Sequence, residues 1–160
     1  MKTRVIAFCN QKGGVAKTTS VINVGAALAR AGRRVLLVDA DAQGSLTVSV
    51  GLEEHVTDQT VTTYELLLEN GDASDAIWEN VGSGYDVIAA DIRLSAADLK
   101  LVSVPGRETV LRDALEAIAP AYDYILIDCP PNLSIVTMNA KRQPMSLLYP
   151  SKPTFWPLAA

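Results

Sequence analysis

Residues 4–19 read RVIAFCNQKGGVAKTT, and this stretch decides the fold. Val5, Ile6, Ala7 and Phe8 are apolar without alternation, the pattern of a strand covered on both faces. Asn10 to Gly14 form a glycine-containing turn. Lys17 to Ala31 then reads as a helix. Its Val21, Val24, Ala27, Leu28 and Ala31 recur at helical spacing, and Gly32 stops it. Arg33 to Asp39 is a second buried strand, centred on Val35, Leu36, Leu37 and Val38. Strand, helix and strand make a βαβ unit, whose crossover is right-handed in nearly all known cases.

Further along, Tyr64 to Asn70 reads as a short helix and Asp72 to Glu79 as another. Tyr85 to Ala89 reads as a strand after the turn Gly82-Ser83-Gly84. Leu94 to Val102 and Arg107 to Ala119 have helical spacing, the second ended by Pro120. Tyr122 to Cys129 is a third strongly apolar strand, with Ile125, Leu126 and Ile127 running into Asp128. Strands alternating with helices predict an α/β fold, a mostly parallel sheet with helices on both faces.

Composition narrows the function classes. With 160 residues, 49% of them hydrophobic, the chain can bury the core of one globular domain. Its net charge of −4 argues against a dedicated nucleic-acid binder. Two cysteines, Cys9 and Cys129, make no disulfide framework and read as small buried residues. His55 is the sole histidine, which leaves little for histidine catalysis or zinc. No apolar run approaches the roughly 18 residues of a membrane span, and Val5 to Cys9 is too short for a signal peptide. The expectation is a cytosolic, reduced, single-domain protein.

The turn after the first strand carries the chemistry. Gln11-Lys12-Gly13-Gly14-Val15-Ala16-Lys17-Thr18-Thr19 departs from the usual phosphate-loop pattern G-x-x-x-x-G-K-[ST], with Gln11 and Ala16 at the two glycine positions. The physical parts are nevertheless present. Gly13 and Gly14 let backbone N–H groups turn inward, and the following helix aims its positive end at the same point. Lys17 supplies a point charge for terminal phosphates. The Thr18 hydroxyl suits Mg²⁺, which prefers oxygen ligands.

Lys12, five residues before Lys17, makes the loop resemble the deviant Walker A motif of the ParA/MinD family of ATPases, K-G-G-x-x-K-[ST]. Asp39-Ala40-Asp41-Ala42-Gln43-Gly44-Ser45 is similar to that family's switch I segment. Ile125 to Pro131 is similar to its Walker B strand and switch II. The Gln43-Gly44-Ser45 ending resembles the ParA/Soj branch, which partitions plasmids and chromosomes, and the loop at residue 11 matches the short type without a leading DNA-binding domain.

This resemblance implies a P-loop NTPase fold and an ATPase with ATP and Mg²⁺ as cofactors. It implies nucleotide contacts from Lys12, Gly13, Gly14, Val15, Ala16, Lys17, Thr18 and Thr19. Lys12, Lys17 and Asp41 would be catalytic, with Lys12 reaching a partner's nucleotide and Asp41 orienting the attacking water. Thr18, Asp39 and Asp128 would hold Mg²⁺, the two aspartates through water. Ala16 replaces the commoner glycine, and its small methyl predicts that nucleotide binding survives. The implied partners are a second copy clamped by ATP, nonspecific DNA and a ParB-type centromere-binding protein. The implied location is the cytoplasm, at the nucleoid and without a membrane. Two other readings stay open: a non-enzymatic remnant or partner-binding fragment, and a MinD-like membrane-surface ATPase.

Composition changes after Ala140. Residues 1–140 carry eleven basic and eighteen acidic residues, a net −7, whereas 141–160 carry three basic residues and none acidic. Four of the eight prolines also fall in 141–160. The sequence therefore divides into residues 1–140, the N-terminal part of an ATPase domain, and 141–160, an atypical tail in which Ser146 to Tyr149 could imitate the family's next strand. Codons that encode Lys141 to Ser146, read two bases on, give Ala-Ala-Ala-Asp-Val, which resembles the family's continuation. The expectation is a C-terminally truncated chain, produced by a frameshift or existing as a natural short variant, with impaired activity and poor DNA binding.

Overall fold

Three apolar runs become neighbouring strands of one sheet. In this computed structural model, which describes residues 3–10, 14–131, 135–141 and 145–148, strands β1 (Arg4–Phe8), β2 (Val35–Asp39) and β5 (Tyr124–Asp128) form its centre. β3 (Ile77–Val81), β4 (Tyr85–Ile88) and β6 (Met145–Leu148) complete the six strands, in the order β3-β4-β2-β5-β1-β6. Every pairing is parallel except the β3–β4 hairpin.

Alternation along the central strands sends side chains to opposite faces. Ile6, Phe8, Leu37 and Leu126 join Val21 of α1 (Lys17–Arg30) and Leu46 of α2 (Ser45–Ser49) on one face. Val5, Ala7, Leu36 and Ile125 join the other. There they meet Leu66 of α3 (Thr63–Leu68), Leu101 of α4 (Ala97–Leu101), Leu111 and Leu115 of α5 (Val110–Glu116) and Val136 of α6 (Ile135–Lys141). The helix expected over Tyr64 to Asn70 is present but ends at Leu68, with Asn70 at φ 52°. Thr62 supplies its start, with Thr62 and Glu65 forming a reciprocal capping box.

Two expectations need correction. Asp72 to Glu79 is not a helix. Residues 73–76 turn, and Ile77 begins β3, because Ile77, Trp78 and Val81 find partners at Ile88, Val87 and Tyr85 across the glycine turn. An irregularity between Trp78 and Val81, with Asn80 at φ 53°, bends this strand. The helix expected from Arg107 begins only at Val110. Gly106 sits at φ 73°, and the buried Asn139 side chain of α6 accepts the Leu111 N–H at 3.0 Å. Tertiary contact therefore sets where this helix begins.

The sheet continues past the composition change. α6 reaches Lys141, and Met145–Leu148 pairs in parallel with β1 in the register Val5↔Met145 to Phe8↔Leu148. Tyr149 lies outside the described residues. The stretch expected from Ser146 to imitate the family's next strand thus does form a strand, beside β1.

The route of the chain places the site. β1 connects through α1 over β5 to β2, while β5 connects through α6 over β1 to β6. The two crossovers run in opposite directions on opposite faces. Their divergence opens a crevice at the carboxyl ends of β1 and β5, the position where open α/β sheets bind ligands.

Candidate nucleotide site

The carboxyl ends of β1, β5 and β2 lie in register, with Phe8 opposite Asp128 and Asp128 opposite Asp39. Ala40 N–H donates to the Asp128 carbonyl at 2.9 Å. This register sets two carboxylates side by side beneath the phosphate loop. Both are buried, Asp39 at 0% and Asp128 at 1% exposure.

They differ in how they are satisfied. Asp39 Oδ1 accepts the Asp41 N–H at 3.1 Å, and Oδ2 accepts the Thr47 N–H at 2.9 Å and hydroxyl at 2.8 Å. Burial outweighs these bonds and pushes its carboxyl from an ordinary 3.8 up to about 6. Asp128 Oδ2 accepts the Thr18 hydroxyl at 2.6 Å, whereas Oδ1 has no hydrogen-bond partner among the described residues. Burial is again the main cause that pushes Asp128 up, to about 7. Thr18 and Lys17 oppose it, and the neighbouring Asp39 and Asp41 add to it.

The loop residues meet these carboxylates from α1. Gly14 adopts φ 70°, and Ala16, the residue before the helix, adopts φ 60° and ψ 33°. Both belong to the left-handed region. No side chain among the described residues caps this end of α1, and its first turn holds no acidic residue. The helix therefore directs N–H groups and a positive dipole toward the crevice, where an anionic ligand can receive them. Lys17 is buried at 9% exposure, Val15 is buried, and Thr19 is exposed. Lys12 and Gly13 lie outside the described residues.

Ala16 shows why glycine is common at this point. An L-residue held in the left-handed region costs roughly 1–2 kcal/mol. Ala16→Gly is expected to raise the stability of the ligand-free chain by about 0.5–1 kcal/mol, after the extra unfolded-state freedom of glycine offsets part of the relief. Urea unfolding at fixed pH measures it, and a lowered midpoint would contradict the strain.

The segment after β2 is a tight turn. Asp41 Oδ1 accepts the Gln43 N–H at 3.0 Å, Gly44 N–H donates to the Asp41 carbonyl at 2.8 Å, and Gly44 adopts φ 60°. A Cβ at Gly44 would sit 3.4 Å from the Ala90 carbonyl oxygen, so the turn lies close against the end of β4. Thr47 also accepts the Ala90 N–H, at 3.0 Å. The Thr63 hydroxyl donates to the Asp39 carbonyl at 2.6 Å. Sequence reasoning missed Thr47 and Thr63. The signal for Thr47 was a polar residue in the first turn of the helix that follows Gly44. Beside the turn a cleft of about 270 Å³ opens between Gln43, Thr47, Val48, Glu53, Asp91 and Ile92.

The residue set fits a phosphate and a hard cation. An open helix end, a buried lysine and a glycine turn suit the anion. A hydroxyl and a buried carboxylate oxygen without a partner suit Mg²⁺, whose charge would favour the ionised carboxylate. Comparison with known families matches residues 3–159 to AAA_31, an AAA domain. The chain belongs to the AAA_31 family. Within AAA_31 it is similar to the sporulation initiation inhibitor protein Soj of Bacillus subtilis, at 44% identity over 97% of this chain and 60% of Soj. It is similar to the chromosome partitioning protein ParA of Caulobacter vibrioides at 43% identity, over 97% of this chain and 58% of that one. A crystal structure of cobyrinic acid a,c-diamide synthase from Mycobacterium smegmatis, with bound ATP analog and magnesium, matches with a TM-score of 0.86. It is 43% identical, over 93% of this chain and 60% of that one. The chain thus spans about three-fifths of the length of these relatives. The ParA/MinD resemblance and the P-loop NTPase fold, a mostly parallel sheet between helices, both stand. No helix among the described residues is long and apolar enough to cross a membrane.

Proposed function

We propose that this chain is the nucleotide-binding part of a ParA/Soj-type partition ATPase. Residues 1–140 supply the ATP and Mg²⁺ site, and 141–160 form an atypical tail. The observation that carries this reading is the 2.6 Å bond from Thr18 to Asp128, made beside the uncapped start of α1. It joins the first helix to the strand end that holds a carboxylate oxygen without a partner among the described residues. Thr18 and, through water, Asp39 and Asp128 would hold Mg²⁺, which would supply charge screening for the phosphates in phosphoryl transfer.

The chain's own groups do the rest. Gly13, Gly14, Val15 and Ala16 present backbone N–H groups to the phosphates. Lys17 neutralises the terminal phosphates, and Thr19 contacts the α-phosphate. Asp41 orients the attacking water, and its backbone is fixed by Asp39 Oδ1. Both oxygens of Asp39 already accept bonds from Asp41 and Thr47, so Asp39 positions the Asp41 turn in addition to any metal contact through water. Lys12 reaches the nucleotide of a second copy, which makes the ATP-bound form a dimer. A ParB-type partner stimulates turnover, and DNA is held nonspecifically. The acidic balance of residues 1–140 weakens that last contact in this chain.

Two substitutions separate the roles. Lys12→Ala is expected to leave nucleotide binding by the monomer within about threefold while removing ATP-dependent dimerisation and hydrolysis. Asp41→Ala is expected to preserve binding and the dimer while lowering turnover by about 10²-fold or more. Equilibrium binding, light scattering and phosphate release measure these in one preparation. Equal loss of binding in both variants would reject the assignment. A parent chain that binds Mg·ATP without turnover would favour the non-enzymatic reading.

A further inference from the structure

The chain's two cysteines follow directly on the strands that carry the site. Cys9 comes after the last residue of β1, and Cys129 after the last residue of β5. These strands are parallel neighbours, Phe8 pairs with Asp128, and Cys129 N–H reaches the Phe8 carbonyl at 3.3 Å. The register therefore brings together two thiols that are 120 positions apart. Cys9 Sγ donates to Cys129 Sγ at 3.2 Å, and the residues are 2% and 0% exposed. Adjacent strands lie about 4.8 Å apart, inside the roughly 4.4–6.8 Å between Cα atoms that a disulfide spans. Closing the bond to about 2.05 Å would draw the sulfurs together by about 1 Å.

We propose that Cys9 and Cys129 form a reversible oxidation site, closed to a disulfide by hydrogen peroxide, and that closure shifts the start of α1 relative to Asp128. One thiol gives up its proton and, as the thiolate, attacks an oxygen of hydrogen peroxide; the O–O bond breaks, the sulfur becomes a sulfenic acid, and the released hydroxide takes up that proton and leaves as water. The second thiol attacks that sulfur; the S–S bond forms, the thiol proton joins the departing hydroxide, and a second water leaves. Two thiols are oxidised by two electrons, and the peroxide is reduced to two waters. A small-molecule thiol restores the pair by exchange.

The position gives the reaction its consequence. Only Asn10 separates Cys9 from the loop at residues 11–16, and Cys129 adjoins Asp128 directly. Moving the cysteines by a fraction of a strand spacing changes where Lys17 and Thr18 stand relative to Asp128. Burial slows attack on the closed chain, so local unfolding at the ends of β1 and β5 sets the rate. The effect on ligand affinity rests on the nucleotide reading given above; the oxidation itself does not.

The test uses the full chain, reduced, freed of reductant and treated with hydrogen peroxide near pH 8. Alkylation in denaturant followed by intact mass then reports the thiols. The expected product is a monomer lighter by two hydrogens, unalkylated at both cysteines and restored by dithiothreitol. Hydrogen exchange in peptides covering 14–20 should differ between the oxidised and reduced forms. Cys9→Ala and Cys129→Ala should each lose that response, and if either fails to fold, the parent's mass and exchange data still decide. Two alkylated thiols after treatment, separate sulfinic acids, or a disulfide without altered exchange at 14–20 would overturn the proposal. Mg·ATP affinity should fall at least tenfold on oxidation. A reduced chain that binds no Mg·ATP rejects the nucleotide reading, while mass and exchange still judge the thiol pair.

Discussion

Lys17→Ala is expected to lower Mg·ATP affinity by about 100-fold, the equivalent of ~3 kcal/mol for a charge-assisted hydrogen bond in a water-poor site. Lys17 is the first residue of α1, is buried, and its charge acts on Asp128, so it belongs to the same site. The change has a second effect. Lys17 favours the ionised form of Asp128, and its removal leaves burial and the neighbouring carboxylates to push Asp128 still higher. Cation binding should therefore weaken most below neutral pH, where Asp128 is protonated. Isothermal titration at pH 6 and pH 8 checks both parts. A variant that binds like the parent at both pH values would remove Lys17 from the site.

Asp128→Asn should act in opposite directions on stability and on binding. In the folded chain Asp128 is pushed up to about 7, above its ordinary 3.8, so the fold favours the protonated carboxyl. That contribution is complete below about pH 4 and is lost as pH rises through 7. The ligand-free parent should accordingly weaken between those limits, with Asp39, pushed up to about 6, adding to the same slope. Asparagine keeps an oxygen for the Thr18 hydroxyl and carries no charge to bury. The variant should be more stable than the parent by about 1–3 kcal/mol at pH 8 and nearly equal to it at pH 4. Mg²⁺-dependent nucleotide affinity should fall at least tenfold. Urea midpoints at the two pH values and titrations with and without Mg²⁺ measure this. Destabilisation at pH 8 would overturn the account of the buried carboxylate.

The central strands and α1 were legible because their apolar patterns admit few other readings. Val5 to Phe8, Val35 to Val38 and Ile125 to Ile127 are short runs covered on both faces, and each ends at a turn or a carboxylate. The loop between β1 and α1 carried its chemistry in its residue types. What escaped was set by partners distant in sequence. β3 depends on pairing with β4, and its acidic, alanine-containing approach looks helical until that partner is present. The start of α5 depends on Asn139, 28 positions from Leu111. Thr47 and Thr63 gain meaning only when Asp39 is buried between them. The meeting of Cys9 with Cys129 follows from the register of β1 on β5, which no spacing along the chain encodes.

The bonds around Asp39 tie the Asp41 turn to the rim of the neighbouring cleft. Asp39 holds the Asp41 backbone with one oxygen and Thr47 with the other, and Thr47 accepts from Ala90. These groups are buried and bonded, so a displacement at Asp41 finds little slack to absorb it. It passes to α2, which carries Val48, and to the end of β4, which leads to Ile92; the two are 48% and 65% exposed. Val48 and Ile92 both line the cleft. On the role proposed above for Asp41, a shift of that carboxylate should therefore register at this cleft, on a surface that a ligand in the phosphate loop need not touch.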